Sequence, residues 1–400
     1  MTGIPSTPPP ALGGSAFYAE DHEEFRGVAR EFVAREVAPH YAAWDAAHLM
    51  PRSLWTAAGE AGLLGLAVPE EHGGTGLADY RFRAVLDEEL VRAGALGVVL
   101  ALHLHDDWVL PHLLAHGAEE QKQRWLPRML TGELVTSVAW TEPGAGSDLG
   151  GVRTRAVRDG DDWVLNGQKT FIGNGISGDA ALVLARTDGG RERAGEESFS
   201  LFLVHKADSP GYEVGKQLDK MGVKASDTAE LFFEDVRVPA GHLIGAEGGG
   251  LRQIRELLPQ GRLAVAVAAS AVARATLEST LRYTRERTAF GSRVLDFQHS
   301  RFEFAELTVE VEVTEAYVRQ AVHAFNAGTL DLVGASKAKY WASERARSVT
   351  DRCLQLHGGY GYILDYPVAQ AFLAARLLTI FGGTSEILRE TIGQAVAAEA

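Results

Sequence analysis

The order of helical and β-rich patterns along the chain constrains its fold more than any other feature. Apolar residues recur at the three-and-four spacing of helices in residues 17–136 and again in residues 247–400. Residues 137–246, between them, contain runs of β-branched and aromatic residues that are typical of strands. We therefore expect an α+β protein in which two helical domains flank a β domain.

Two details add to this prediction. The pairs Asp159-Gly160 and Asn166-Gly167 stand between β-rich runs, and such pairs are strong indicators of tight hairpins. Residues 1–16 are rich in proline and glycine, which predicts a disordered tail before the first helical domain.

Composition narrows the range of partners and locations. The formal net charge of −14 would repel nucleic acid and anionic membrane surfaces. No unbroken apolar run reaches the ~18 residues that span a bilayer, and the first residues lack the basic and apolar segments of a secretory signal. Cys353 is the only cysteine, which excludes an internal disulfide and a cysteine metal cluster. We expect a cytoplasmic protein with no metal site, no nucleic-acid partner and no membrane partner.

Six short stretches follow one another along the chain. In the first, Gly144 and Gly146 let backbone N–H groups approach a ligand, and Thr141, Ser147 and Asp148 offer polar contacts. The stretches are WTEPGAGSD (140–148), NGQKTFIGNG (166–175), KMGVKASDT (220–228), RERTAFGSRVLDFQ (285–298), QLHGGYGY (355–362) and IFGGTSEI (380–387). In this order, and with the α–β–α layout, they closely resemble the motifs of the acyl-CoA dehydrogenase family. The resemblance covers nearly the whole chain after the tail.

This resemblance implies a fold and a cofactor. The family has an α-helical N-terminal domain, a β-barrel-like middle domain and a C-terminal four-helix bundle, and it binds FAD. Matching motif by motif, the implied cofactor-binding residues are Val138, Trp140, Thr141, Gly146, Ser147, Phe171, Ile172, Gly173, Arg287, Thr288, Phe290, Phe297, Gln298, Gln355, Gly358, Gly359, Gly383, Thr384 and Glu386. The residues from Val138 to Gly173 would contact the flavin and its ribityl chain. The residues from Arg287 to Gln298 would contact the pyrophosphate and adenosine. The stretch Gln355 to Gly359 would reach the cofactor of a neighbouring subunit.

The same resemblance indicates that the usual catalytic base is missing. In relatives a glutamate removes the α-proton of the acyl thioester, and it occupies one of two positions. In this chain both positions are glycines, Gly382 in the last motif and Gly261 directly before Arg262. A third difference is Gly173, because relatives commonly have a serine or threonine there that hydrogen-bonds N5 of the flavin. General-base help is typically worth 10² to 10⁴ in rate, so we expect ordinary dehydrogenation to be slow without a substitute.

Three side chains are candidates for that substitute. His105 and Asp106 lie in HLHDDW, residues 103–108, a stretch that borders the acyl pocket in relatives, and Glu256 lies upstream of Arg262. Each is explained more simply as a structural or surface residue, so the catalytic base stays unassigned.

For substrate binding, the resemblance implies three residues. Ser147 would lie near the pantetheine arm, Arg262 near the base position, and the backbone N–H of Gly382 would polarise the thioester carbonyl as half of an oxyanion hole.

Three functions remain open. The first is FAD-dependent α,β-desaturation of an acyl thioester, on CoA or a carrier protein, with a relocated base and an electron-acceptor flavoprotein. The second keeps the fold but uses O2, as in a branch of secondary metabolism that converts β-keto acids to epoxyketones by decarboxylation, desaturation and oxygen insertion. Loss of carbon dioxide would then replace the base. The third, a non-enzymatic flavin-binding scaffold, is disfavoured by the complete FAD set. The family's usual homotetramer, a dimer of dimers, is also implied.

Overall fold

The computed structural model describes residues 17–187, 189 and 195–399, so the predicted tail lies outside the described residues. The N-terminal domain packs its helices around a core that includes Phe32, Trp55 and Leu86. The Asp79 carboxylate caps the fourth helix by accepting a 2.9 Å hydrogen bond from the backbone N–H of Arg81. The helices are α1 (Glu20–Phe32), α2 (Tyr41–Ala47), α3 (Arg52–Glu60), α4 (Tyr80–Arg92), α5 (Leu96–His103), α6 (Leu110–His116) and α7 (Glu119–Leu130).

Two π-helical turns extend the helices of this domain. One, Val33–Val37, follows α1, and the other, Leu104–Val109, joins α5 to α6. Such turns are rare and often occur at functional sites. Residues four apart on a helix lie on the same face, so the second turn carries Leu104 and Trp108 on one side.

The middle domain is a β-sheet whose strands run in the order β6-β7-β3-β2-β4-β5-β8, with β1 pairing in parallel with β4. One face of the sheet buries Leu165, Phe202 and Val236, and the other packs Leu182 and Leu201 towards the N-terminal domain. The strands are β1 (Thr136–Ala139), β2 (Arg155–Asp159), β3 (Asp162–Gly173), β4 (Ala180–Arg186), β5 (Phe199–His205), β6 (Tyr212–Gln217), β7 (Thr228–Val238) and β8 (Leu243–Ile244).

One of the two predicted hairpins is confirmed and the other is wrong. Strands β2 and β3 form an antiparallel hairpin in which Asp159 pairs with Asp162 across a turn at Gly160. Gly167 lies inside β3 instead, beside a register shift against β7. A Cβ on Gly167 would lie 2.7 Å from the Cα of Thr154, so glycine is needed there for a close approach and not for a turn.

The C-terminal domain is a helical bundle built around its longest helix, α8, which packs mainly against α10. Alanines such as Ala264 and Ala268 on α8 and Ala342 on α10 are fully buried, and their small side chains let the two helices approach closely. The elements are α8 (Gly250–Glu286), β9 (Thr288–Ala289), β10 (Ser292–Arg293), α9 (Gln298–Asn326), α10 (Leu332–His357), α11 (Pro367–Leu378) and α12 (Ser385–Glu399).

By length and composition alone, α8 is the one helix in the described part of the chain that could cross a membrane. However, 78% of its most apolar window is buried inside the protein, as expected for the core helix of a bundle.

Candidate active site

The first and second motifs lie side by side where strands β1 and β3 end. The backbone N–H of Thr170 donates to the carbonyl of Thr141 at 3.0 Å, and the Lys169 Nζ donates to the carbonyl of Trp140 at 3.2 Å. The structure therefore brings the loop after β1 next to Phe171, Ile172 and Gly173, as the resemblance implies.

A buried ion pair fixes this junction. The Lys169 Nζ also donates to Glu142 Oε1 at 2.9 Å and to the carbonyl of Leu184 at 2.7 Å. Glu142 in turn accepts from the backbone N–H groups of Arg153 and Thr154. Burial lowers the pKa of Lys169 to about 8, although the neighbouring carboxylate opposes that shift. Sequence reasoning missed this pair, which holds the start of the first motif in place.

The exposed aromatic residues near these loops fit a flat cofactor. Phe171 has a left-handed backbone (φ 59°), and its side chain is 69% exposed at the end of β3. In contrast, Ile172 is fully buried and Val138 is half-buried, while Gly146 and Ser147 lie on the surface of the adjacent loop. An aromatic ring held in a strained conformation and left uncovered is what a stacking isoalloxazine ring would require.

The residues predicted for the pyrophosphate and adenosine lie together elsewhere, on the bundle. Arg287 follows the end of α8, its guanidinium lies 5.5 Å from the ring centroid of Tyr360, and both line an open cavity of about 560 Å³. Phe290 is 98% exposed and its ring centroid lies 6.3 Å from that of Phe297.

The cavity beside Arg287 is also lined by Gln355, Gly358 and Gly359. The exposed Thr288 and Gln298 lie near the ends of β9 and α9. Arg287 and Gln355 of one chain therefore line the same cavity.

The last motif forms the turn before α12. The Thr384 Oγ1 accepts from the backbone N–H of Ile387 at 3.3 Å, so it caps the helix, and the Glu386 side chain is exposed. Gly382 and Gly383 both have left-handed backbones (φ 65° and 96°), which glycine adopts without strain. Among the described residues, the backbone N–H groups of these two glycines have no acceptor.

Both base positions face the side chain of Trp108. A Cβ on Gly261 would lie 2.6 Å from the indole Cε2 and Cζ2, and a Cβ on Gly382 would lie 3.5 Å from the same Cζ2. The two glycines are far apart in sequence, yet the fold brings them to one edge of one ring. Sequence reasoning quoted the stretch that contains this tryptophan but gave the residue no role.

The third departure, Gly173, faces Leu104 on the same π-helical turn. A Cβ on Gly173 would lie 2.5 Å from the Leu104 Cδ1. Leu104 and Trp108, from one turn, therefore contact the three glycines that the resemblance marks as departures from the family's motifs.

The three candidate substitutes for the base are engaged elsewhere. His105 bonds through Nδ1 to Thr136, and burial lowers its pKa. Asp106 accepts from Arg83 and from the backbone N–H of Gly65. The Glu256 side chain is 56% exposed and pairs with His116, so the structure does not bring it to the two glycines.

A further carboxylate, Asp107, is connected to one of the two glycine positions through a hydrogen-bond partner. Its Oδ1 accepts from the Tyr80 hydroxyl at 3.0 Å and from Gln260, the neighbour of Gly261, at 3.2 Å. Burial raises its pKa, and its Oδ2 has no hydrogen-bond partner in the described chain. Its Oδ2 also lies 3.8 Å from the Arg83 Nε, so Asp107 belongs to a buried structural network.

Two buried cations flank the last loop. Arg262 donates to the Ser336 hydroxyl at 2.7 Å, and no carboxylate of the described residues lies within ion-pair distance of it. A Cβ on Gly383 would lie 3.5 Å from the Arg262 guanidinium, and the Lys339 Nζ donates to the Gly383 carbonyl at 2.6 Å. Burial lowers the pKa of Arg262 to about 10 and that of Lys339 to about 7. Such uncompensated buried charge favours an anionic ligand.

No cluster of histidine, cysteine, aspartate and glutamate in the described residues could hold a metal ion. Cys353 is buried in the bundle as a free thiol.

Comparison with known families matches almost the entire chain. Residues 19–133 match the acyl-CoA dehydrogenase N-terminal domain, residues 137–236 the middle domain and residues 248–397 the C-terminal domain. The chain belongs to the acyl-CoA dehydrogenase family.

Individual relatives agree with this assignment. The chain is 42% identical over 386 residues to the mitochondrial long-chain specific acyl-CoA dehydrogenase of Sus scrofa, covering 96% of this chain and 88% of that protein. The crystal structure of an acyl-CoA dehydrogenase from Geobacillus kaustophilus superimposes with a TM-score of 0.92 at 41% identity, covering 96% of this chain and all of that one. A glutaryl-CoA dehydrogenase from Mycobacterium smegmatis in complex with FADH2 gives a TM-score of 0.88 at 29% identity, with 96% of each chain covered.

The family and its cofactor are therefore those that the motifs predicted. The protein is an FAD-dependent oxidoreductase with the three-domain architecture of acyl-CoA dehydrogenases.

Proposed function

We propose that this enzyme oxidises an acyl substrate whose carbanion forms by loss of carbon dioxide, as in a β-keto acid. The observation that carries this proposal is that both positions of the family's base are glycines, Gly261 and Gly382, packed against one indole ring. The carboxylates of Asp106 and Glu256 have other partners, so neither is available to remove an α-proton. A reaction that needs no α-proton base fits this site better than ordinary dehydrogenation.

The chemistry would begin at the bond between the α-carbon and the substrate carboxylate. When this bond breaks, its electron pair remains on the α-carbon as an enolate, and carbon dioxide leaves. Bound FAD would supply the acceptor for a hydride from the carbon that adjoins the α-carbon on the side away from the ketone, so an α,β-unsaturated ketone results. The free backbone N–H groups of Gly382 and Gly383 can stabilise the enolate oxygen in the manner of an oxyanion hole.

The charges around the site suit an anionic substrate. The buried guanidinium of Arg262 lies beside Gly383, and it favours negative charge in the last loop. The volume at the former base positions is instead lined by Trp108 and Val265, which leave a carboxylate there poorly solvated. Poor solvation there destabilises the carboxylate relative to carbon dioxide, while the positive charge lies beside the loop whose backbone N–H groups would receive the enolate oxygen.

A second candidate is desaturation of an acyl thioester with electron transfer to a partner flavoprotein. It is favoured by the 42% identity with a long-chain specific acyl-CoA dehydrogenase over 96% of this chain. In that reaction Ser147, Arg262 and Gly382 would contact the thioester. In the decarboxylating reaction, O2 would reoxidise the flavin and supply the oxygen of an epoxyketone, a reaction of secondary metabolism.

The assembly and location are further proposals. Exposed Phe290, Phe302 and Tyr362 (98%, 59% and 89%) give the bundle an apolar surface suited to a second copy, in support of a homotetramer. A cytoplasmic location, and the absence of membrane and nucleic-acid partners, remain predictions from the single free cysteine and the net charge.

One experiment separates the two reactions. The purified holoenzyme is mixed without oxygen with a panel of saturated acyl-CoAs and β-keto acids while the flavin absorbance is followed, and air is then admitted. Bleaching only by a β-keto acid, with one carbon dioxide released per flavin reduced and rapid reoxidation to an oxygenated product, supports the decarboxylating reaction. Bleaching by a saturated acyl-CoA with slow recovery in air would overturn it in favour of the dehydrogenase.

A further inference from the structure

The indole of Trp108 occupies the volume that a glutamate at position 261 would need, and it also lies against position 382. At Gly261 the overlap is severe, because real Cβ atoms essentially never approach a ring carbon to 2.6 Å. At Gly382 the Cβ would make only ordinary contact with the ring, at 3.5 Å. One residue from the N-terminal domain therefore excludes a side chain at position 261 and contacts position 382 as well.

The ring is held firmly in this place. Its residue is buried, the Trp108 carbonyl bonds His112 Nδ1 at 2.6 Å, and the ring centroid lies 5.8 Å from that of Trp140 in an edge-to-face arrangement. Because Gly261 lies on the long helix α8, backbone movement there would disturb the whole bundle. A larger residue at Gly261 cannot be accommodated simply by a small shift of the ring.

From these contacts we infer that Trp108 is the specificity-determining residue of this enzyme. It closes the volume from which a glutamate would reach the α-carbon, and it thereby restricts the site to acyl substrates that form their carbanion without α-proton removal. This inference rests on the proposed function for the substrate class, but the exclusion of a glutamate by the ring is independent of it. Gly261 and Trp108 then form a single unit, and a glutamate placed at position 261 alone cannot restore the usual reaction.

The test is a set of variants at two positions, assayed with a saturated acyl-CoA such as octanoyl-CoA. Gly261→Glu alone should lower the melting temperature and give no faster anaerobic bleaching of the flavin than the wild type. Gly261→Glu combined with Trp108→Leu should recover part of the melting temperature that Gly261→Glu loses. It should also bleach the flavin at least ~100-fold faster than the wild type does, which is the lower end of what a general base contributes. Calorimetric titration with the acyl-CoA measures binding separately from the reaction.

Matched controls isolate the ring and the carboxylate. Gly261→Gln with Trp108→Leu has the same shape without a base, so it should fold and bind but not bleach. The variant Gly261→Glu with Leu104→Ala removes a side chain of the same π-helical turn, but one that faces Gly173 and not Gly261. It should restore neither the melting temperature nor the rate of flavin bleaching.

The outcomes distinguish this inference from the proposed function. If Gly261→Glu alone is as stable and as active as the double variant, the ring excludes nothing and the inference is overturned. If the double variant is as inert and as unstable as Gly261→Glu, Trp108 is not the determinant and the inference also fails. If the wild type already bleaches with octanoyl-CoA, the decarboxylating function fails, whereas the melting temperatures still decide whether the ring excludes the glutamate.

Discussion

The Nζ of Lys339 donates a 2.6 Å hydrogen bond to the backbone carbonyl of Gly383, which ties helix α10 to the turn that contains Gly382 and Gly383. The lysine is buried, and together with the neighbouring Arg262 this burial lowers its pKa to about 7. The folded protein therefore disfavours the charged form of this side chain, while the unfolded chain holds its proton up to the ordinary range near pH 10.5.

This lysine predicts a pH dependence of stability. Between pH 7 and pH 10.5 the unfolded state binds more protons at this site than the folded state does, so the free energy of unfolding should rise with pH across that window. Urea unfolding at pH 7.5 and pH 9.5 measures this rise. Buried Lys169 and Lys220 contribute with the same sign, so the specific expectation is that Lys339→Met makes the slope smaller. An unchanged slope in that variant would contradict the assignment.

Replacing Gly382 by glutamate should be tolerated better than replacing Gly261. The left-handed backbone costs a non-glycine residue about 1–2 kcal/mol, but the Cβ makes only ordinary contacts. We expect Gly382→Glu and the control Gly382→Ala to lose similar stability, and Gly261→Glu to lose more than either. Thermal unfolding of the three holoenzymes measures the order. Equal losses for the two glutamate variants would show that the indole moves freely.

The buried pair of Lys169 and Glu142 should be essential for the flavin loop. Glu142→Gln leaves the lysine without its counter-charge, and breaking such a pair typically costs 3–5 kcal/mol. The exposed pair of Asp219 and Lys224 serves as the control, because solvent screens such a pair and Asp219→Asn should leave the stability nearly unchanged. Urea unfolding gives the stabilities, and the flavin absorbance of the purified variants gives the FAD content. The expectation is wrong if the two variants prove equally stable.

Arg287 should contribute to FAD retention. Hydrogen bonds to a charged group are worth about 1.5–3 kcal/mol, so Arg287→Gln should weaken FAD binding by roughly 10- to 100-fold. Arg285 is also exposed near the end of α8, and Arg285→Gln is the matched control. Fluorescence titration of the apoprotein with FAD measures both affinities. Equal affinities would remove Arg287 from the site.

The sequence predicted the architecture well because helices and strands leave different spacings of apolar residues. The α–β–α order and the family follow from local patterns such as those around Asp159 and in the six motifs. Gly167 was misjudged because glycine also serves close backbone contacts, and Thr154, the residue that requires it, is known only from the fold. The role of Trp108 could not be predicted at all, since it depends on a tertiary contact with two glycines far along the chain.

The length of α8 has a consequence for how many copies make one active centre. Between Gly261 and its last residue, Glu286, the helix extends about 37 Å at about 1.5 Å per residue. Gly261 and Arg287 therefore stand about 37 Å apart along one rigid helix, too far for one dinucleotide to touch both. If both serve FAD, each centre combines the two ends of different copies. A mixed assembly of one chain altered at Trp108 and another altered at Arg287 would then contain centres with both defects and centres with neither.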